Sequence, residues 1–188
     1  MSLRRRKIRK EAFHLEPIFY AYTWDILEHP KFQALRALPH HGADNSVYDH
    51  SVATAELAFH MARGLGFSGE DVRRVTRAAL LHDFFGYNWH GRAYRRYVRG
   101  FRGLQRISRM HAFIHGPIAA QRAAFWFDLD QGQREAIALH MFPLCFPFPR
   151  HKEAWVVTAA DKAVATREVL ALAERRCGWW LRRLATAV

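Results

Sequence analysis

Residues 68–87, SGEDVRRVTRAALLHDFFGY, decide how the chain folds. Ser68, with Asp71 three residues on, reads as an N-terminal cap, because a hydroxyl and a following carboxylate satisfy the first free N–H groups of a helix. Val75, Ala78 and Ala79 then share one face and Arg73 and Arg77 the other, the spacing of an amphipathic helix. His82 falls at the C-terminal end, and FFGYNWHG after it marks a loop. A polar pair, His82-Asp83, thus closes an apolar helix. Alone the dipeptide carries nothing: twelve histidines and eight aspartates in 188 residues supply about half such a pair by chance.

The same grammar extends in both directions. Ser46 with Asp49 predicts a capping box and a helix running towards Gly64, where Arg63-Gly64 supplies a stop. The arginine-rich segment after the loop is expected to be partly helical. His115-Gly116-Pro117 predicts a helix through Phe127, with His115 just before it, since proline is favoured at a first helical position. A short helix from about Gln131 to His140 precedes MFPLCFPFPR (141–150), whose three prolines demand a loop. Helix resumes near Lys152 and passes through Asp161 to about Leu184. No alternating strand of useful length appears.

The expected fold is therefore all-α, a single-domain helical bundle. Residues 1–45 read as a basic N-terminal arm and a leading helix packing on the domain, 46–170 as the core, and 171–188 as a helix closing the bundle. Trp179 and Trp180 are expected to be core. Half of the residues are hydrophobic, with six Trp and fourteen Phe, enough for a substantial interior. Cys145 and Cys177 form no metal-binding spacing, and the basic start MSLRRRKIRK has no apolar run behind it. These features suit a reducing cytoplasm and neither secretion nor a membrane span; the oligomeric state is not legible.

The formal charge of +12 is unevenly spread. Arg4, Arg5, Arg6, Lys7, Arg9 and Lys10 crowd the first ten residues. A second block runs from Arg92 through Arg95, Arg96, Arg99, Arg102 and Arg106 to Arg109, and no acidic residue occurs between Phe84 and Phe127. Such a block is either a solvated helix face or the binding surface for an anion, a phosphorylated small molecule or RNA.

Faces bring the polar residues together. His50 shares a stripe with Ala53, Thr54, Leu57 and Met61; His82 lies above Ala78 and Val75, His140 above Ala136 and Ile137, and Asp161 above Val157. Taken singly, a buried histidine is more often a hydrogen-bonded core residue. Four helices that each bury a ligand-type side chain argue otherwise, because one cation would satisfy imidazoles and carboxylates together. Imidazole plus carboxylate without thiolate suits Fe, Mn, Co, Ni or Zn, with Mg less natural.

The order His50, His82-Asp83, Asp161 resembles the HD-domain superfamily of metal-dependent phosphohydrolases. YDHSVATAELA (48–58) is similar to that family's first-histidine helix, AALLHDFFGY (78–87) to its central motif and VVTAADKA (156–163) to its terminal aspartate helix. The resemblance covers roughly residues 46–170. It implies a helical bundle in which His50, His82, Asp83 and Asp161 hold one metal and Asp83 can bridge to a second. His115 in HGPIAAQRA and His140 in EAIALHM are placed like second-metal ligands in the branch of diiron hydrolases acting on dinucleoside tetraphosphates. Two features depart from that branch: Met141 and a proline-rich loop follow His140, and a long arginine insertion follows Asp83.

The resemblance further implies hydrolysis of a phosphomonoester or phosphoanhydride in a nucleotide-like molecule, with one or two ions, Fe or Mn foremost, activating water. Asp83 belongs to that catalytic centre. Arg92, Arg95, Arg96 and Lys162 are the phosphate-contact candidates, by nearness to the central motif and to Asp161. His90 could serve as general acid if its loop folds inward; His111 and His151 read as loop histidines. One alternative is a mononuclear nucleoside-monophosphate phosphatase. Another is a non-catalytic basic RNA-binding or regulatory protein on the same scaffold, using arginines interleaved with Tyr94, Tyr97 and Phe101.

Overall fold

The computed structural model describes the backbone of residues 16–42 and 45–185 and the side chains of 16–40 and 45–174. The basic arm at residues 4–10, Cys177, and the side chains of Trp179 and Trp180 lie outside those described. The fold is all-α, in one bundle.

Helix α1 (Pro17–Leu27) starts at a proline, and α2 (Pro30–Gln33) follows directly. A 3-10 turn (Ala34–Ala37) leads into a small hairpin, β1 (Pro39–Gly42) against β2 (Asn45–Ser46), antiparallel with Pro39 opposite Ser46. The predicted capping box is present: Ser46 Oγ accepts from Asp49 N–H, and Asp49 reaches back to Ser46 N–H, opening α3 (Val47–Gly64). The helix ends at Gly64, where the stop was predicted. Gly66, at φ +73°, takes the left-handed conformation, and the N–H groups of Gly66 and Phe67 close the helix on Arg63 and Ala62.

Helix α4 (Gly69–Leu81) is capped by Ser68 and packs most extensively against α3. Its buried face includes Val72, Val75, Ala78, Ala79 and Leu81. Arg77 is not on the outward face with Arg73. Its guanidinium is buried between α4 and α1, where it pairs with Asp25 at 2.6 Å and donates to the Tyr22 carbonyl at 3.0 Å. A charge-assisted fork of this kind compensates its desolvation. Phe84 and Phe85 follow the helix into the core, Phe84 meeting Phe32 and Phe127.

Two short helices, α5 (Arg92–Arg99) and α6 (Gly103–Ile107), carry the arginine block and bury no residue. Helix α7 (His111–Trp126) begins four residues before His115, so Pro117 lies inside it rather than at its start. Proline is tolerated there because only the Phe113 carbonyl loses its helical donor. The Cys145 thiol approaches that oxygen at 3.7 Å. Helix α8 (Gln131–Leu139) is opened by a capping box at Asp130 and ends on His140, and after the proline loop α9 (Lys152–Ala185) closes the bundle against α3, α4 and α8. Among the described residues no helix is long and apolar enough to cross a membrane.

Candidate metal centre

Each functional side chain is delivered by the end or inner face of a different element. His50 lies in the first turn of α3, His82-Asp83 just past α4, His115 in α7, His140 at the end of α8 and Asp161 on the inner face of α9; all six are buried. The helices converge closely because small residues face one another. A Cβ added to Gly116 would stand 2.6 Å from the Ala138 carbonyl oxygen, so glycine lets α7 press onto α8 and bring His115 to His140.

The imidazoles share one orientation. His82 Nδ1 lies 2.7 Å from the Ala79 carbonyl, His115 Nδ1 2.6 Å from that of His111, and His140 Nδ1 2.8 Å from that of Ile137. A carbonyl only accepts, so each ring donates from Nδ1 and aims its Nε2 inward, bare at His115 and His140. His50 does the same with a carboxylate: its Nδ1 lies 3.1 Å from Glu168, and its Nε2 3.1 Å from Asp161 Oδ1. Fixing the outer nitrogen in this way is how proteins orient metal-binding histidines.

Asp83 stands between two sets of these nitrogens. Oδ2 faces His82 Nε2 at 3.6 Å and His40 Nε2 at 3.4 Å, while Oδ1 faces His115 Nε2 at 3.4 Å and His140 Nε2 at 3.8 Å. His82 Nε2 also faces Asp161 Oδ1 at 3.6 Å. His82 Nε2 and Asp83 Oδ1 are buried with no hydrogen bond, each costing about 1–3 kcal/mol unless something satisfies it. His115 Nε2 and His140 Nε2 are 2.8 Å apart, two lone pairs facing each other. A cation held between such donors turns every one of these costs into an attraction. His50, His82 and Asp83 form one group able to hold an ion, and Asp83, His115 and His140 a second.

Electrostatics point the same way. Burial would raise Asp83 and Asp161, but the surrounding imidazoles outweigh it and hold both carboxyls well below the usual carboxylate range. Burial pushes His140 down to about 3 and lowers His115, helped at His140 by the neighbouring rings, so both are neutral and ready to donate a lone pair. Burial opposes protonation of His40 and His82, yet Asp83 and the second carboxylate beside each raise both, His40 to about 9. Two ionised carboxylates in a buried site call for positive charge. A proton on His40 or His82 answers part of that demand, and a divalent cation answers it more fully.

Above the centre opens a cavity of about 770 Å³. Asp83, His115, His140 and Asp161 contribute to its floor, while Trp89, Tyr94, Val98 and Leu144 are among its apolar walls. Arg95, Arg99, Arg106 and Lys162 also line it. Lys162 Nζ reaches Asp161 Oδ2 and the His140 carbonyl, both at 3.1 Å. Arg92 and Arg96 are exposed and do not line the cavity. Among the described residues none of Arg95, Arg99 and Arg106 has a carboxylate within ion-pair distance, and the segment itself holds no acid.

His90 lines the cavity too, but its Nε2 lies 2.9 Å from the His40 carbonyl, which ties its loop to β1. His111 is no loop histidine. It opens α7, stacked between Trp89 and His115, and burial drives it down to about 3. His151 pairs with Glu135 at 3.0 Å, away from the centre. Tyr94 donates to the Arg109 carbonyl at 2.9 Å and stacks on Tyr87, whereas Tyr97 is half exposed and Phe101 lies under the Arg109 guanidinium.

Sequence reasoning missed His40 and Glu168. Glu168 had a legible signal, because it lies seven residues after Asp161 and so on the same face of α9. His40 had none, sitting on a strand of four residues.

The sequence profile of the HD domain matches residues 47–166. Searches of curated proteins and of solved structures gave no match.

Proposed function

The chain belongs to the HD-domain family, and from that membership we propose that it is a metal-dependent phosphohydrolase. Its substrate is a nucleotide-like molecule carrying a phosphomonoester or phosphoanhydride. The observation that carries the reading is Asp83, whose two oxygens face two separate sets of inward-aimed imidazole nitrogens. That arrangement favours two ions over one, and so the dinuclear branch over a mononuclear nucleoside-monophosphate phosphatase. His50, His82, Asp83 and Asp161 would hold the first ion and Asp83, His115 and His140 the second. Bound there, the ions supply Lewis acidity, making water nucleophilic at neutral pH and drawing charge from a phosphoryl oxygen. The donor set of four imidazoles and two carboxylates suits Fe or Mn.

The chain's own residues supply the rest. Arg95, Arg99, Arg106 and Lys162 line the cavity where they would bind the phosphate oxygens of the substrate and hold it over the centre. Trp89 and Tyr94 offer flat apolar surface to a nucleobase. His90 donates Nε2–H to the His40 carbonyl, so its Nδ1 carries a proton for a leaving group only in the imidazolium form. The free thiol of Cys145 is compatible with a reducing cytoplasm.

Protein purified without chelator should contain Fe or Mn and hydrolyse members of a panel of nucleoside monophosphates and dinucleoside polyphosphates. Asp83→Ala should lose both the metal and the turnover. Metal-free protein that stays inactive with added Mn or Fe would contradict the proposal.

A further inference from the structure

His40 lies before the residues that the HD profile matches and Glu168 after them, yet both reach the centre. Glu168 spans two rings. Its Oε1 and Oε2 lie 3.1 Å from His50 Nδ1, and Oε2 lies 3.3 Å from His40 Nδ1. The rings are stacked, with centroids 3.9 Å apart and planes 23° from parallel. One carboxylate therefore takes the Nδ1 proton of both and turns both Nε2 atoms the same way, His50 towards Asp161 and His40 towards Asp83 Oδ2. Such a carboxylate–histidine pairing is how metal-binding imidazoles are oriented.

The placement is built from several elements. The hairpin sets His40 beside the start of α3, the His90 ring bonds its carbonyl from the loop after Asp83, and Glu168 approaches from α9. The His40 side chain is buried although it sits on a two-stranded hairpin, and it lines the cavity beside Asp83. A histidine there with its Nδ1 on a carboxylate and its Nε2 3.4 Å from a carboxylate oxygen has the environment His50 has. His40, His50 and Glu168 also lie close enough together to form a cation-binding group of their own.

Resting on the hydrolase reading, we propose that His40 is a further metal ligand, joining His50, His82, Asp83 and Asp161 at the first ion, and that Glu168 positions His40 and His50 together. The first ion would then have five protein donors, three of them imidazole. The second, at His115 and His140, would be independent of His40.

The test is direct titration of the metal-free full chain with Mn(II), followed by calorimetry, and with Co(II), followed by its visible absorption, which reports donor number and geometry. His40→Phe keeps a flat ring against His50 but carries no donor. It should weaken the first ion by more than the roughly 10–100-fold lost when only a ligand's hydrogen-bonded support is removed, change the Co(II) spectrum and leave the second ion in place. Glu168→Gln keeps both rings and should weaken the first ion less. His40→Ala is the paired variant, in which free imidazole should restore the wild-type spectrum. Helical circular dichroism confirms that each variant is folded, and a variant that is not is replaced by the other at position 40. A folded variant that binds two ions with wild-type affinity and an unchanged spectrum would overturn the inference and leave the hydrolase reading standing. Wild-type protein that binds no ion would overturn both.

Discussion

His115 Nε2 and His140 Nε2 face each other across 2.8 Å, and each ring has its proton on the far side, engaged by a carbonyl of its own helix. Two lone pairs held together by α7 and α8 are a strain that a cation relieves. Chelation should therefore destabilise the fold as well as stop turnover. At ion concentrations about 100 times Kd the bound form gains about 2.7 kcal/mol, so EDTA should lower the melting temperature by about 5–10 °C. In His140→Ala the opposing lone pairs are gone and the drop should shrink by at least half, as read by calorimetry with and without chelator. An equal drop in both proteins would refute the assignment of these two rings.

The arginines divide by face. Arg95, Arg99 and Arg106 line the cavity and Arg92 and Arg96 do not. Arg95→Ala or Arg99→Ala should raise KM about tenfold with little change in kcat, the signature of a lost charge-assisted hydrogen bond made equally to substrate and transition state. Arg92→Ala and Arg96→Ala should match wild type. Steady-state kinetics on any substrate found in the panel separates the two sets.

Gly116 sets the approach of α7 to α8. A methyl group there would lie 2.6 Å from the Ala138 carbonyl oxygen, which is backbone and cannot rotate away. Gly116→Ala should cost about 1–3 kcal/mol in denaturant unfolding. It should also weaken the second ion, because His115 moves with the helix.

Glu135 gives a pH-dependent contribution remote from the metals. Burial opposes its ionisation, but the backbone N–H groups of His151 and Arg150 outweigh burial and hold it below its ordinary value of 4.5. A depressed carboxyl stabilises the fold above the unfolded value and loses that contribution as pH falls through the folded one. The melting-temperature gap between wild type and Glu135→Gln should be full at pH 6 and narrow below about pH 4.5.

Much of this was legible in the sequence, for a physical reason. His50, His82, His140 and Asp161 each interrupt an apolar stripe on a helix long enough to show its period, and caps at Ser46 and Ser68 fixed where two of those helices begin. Where period was absent, legibility failed. The hairpin bearing His40 is too short to alternate, and Pro117 looked like a helix start because the turn before it carries no other boundary signal. Arg77 belongs to the core because Asp25, fifty-two residues away, neutralises it, which spacing along one helix cannot reveal. The phosphate candidates were chosen by distance along the chain. The cavity selects by face instead, keeping Arg95 and Lys162 and adding Arg99 and Arg106.

Two ions held on either side of Asp83 would each give an anomalous signal. Crystals of protein purified without chelator and supplied with Mn should show two peaks, one among His50, His82, Asp83 and Asp161 and one among Asp83, His115 and His140. A single peak, or density with no anomalous signal on either side of Asp83, would contradict the two-ion centre.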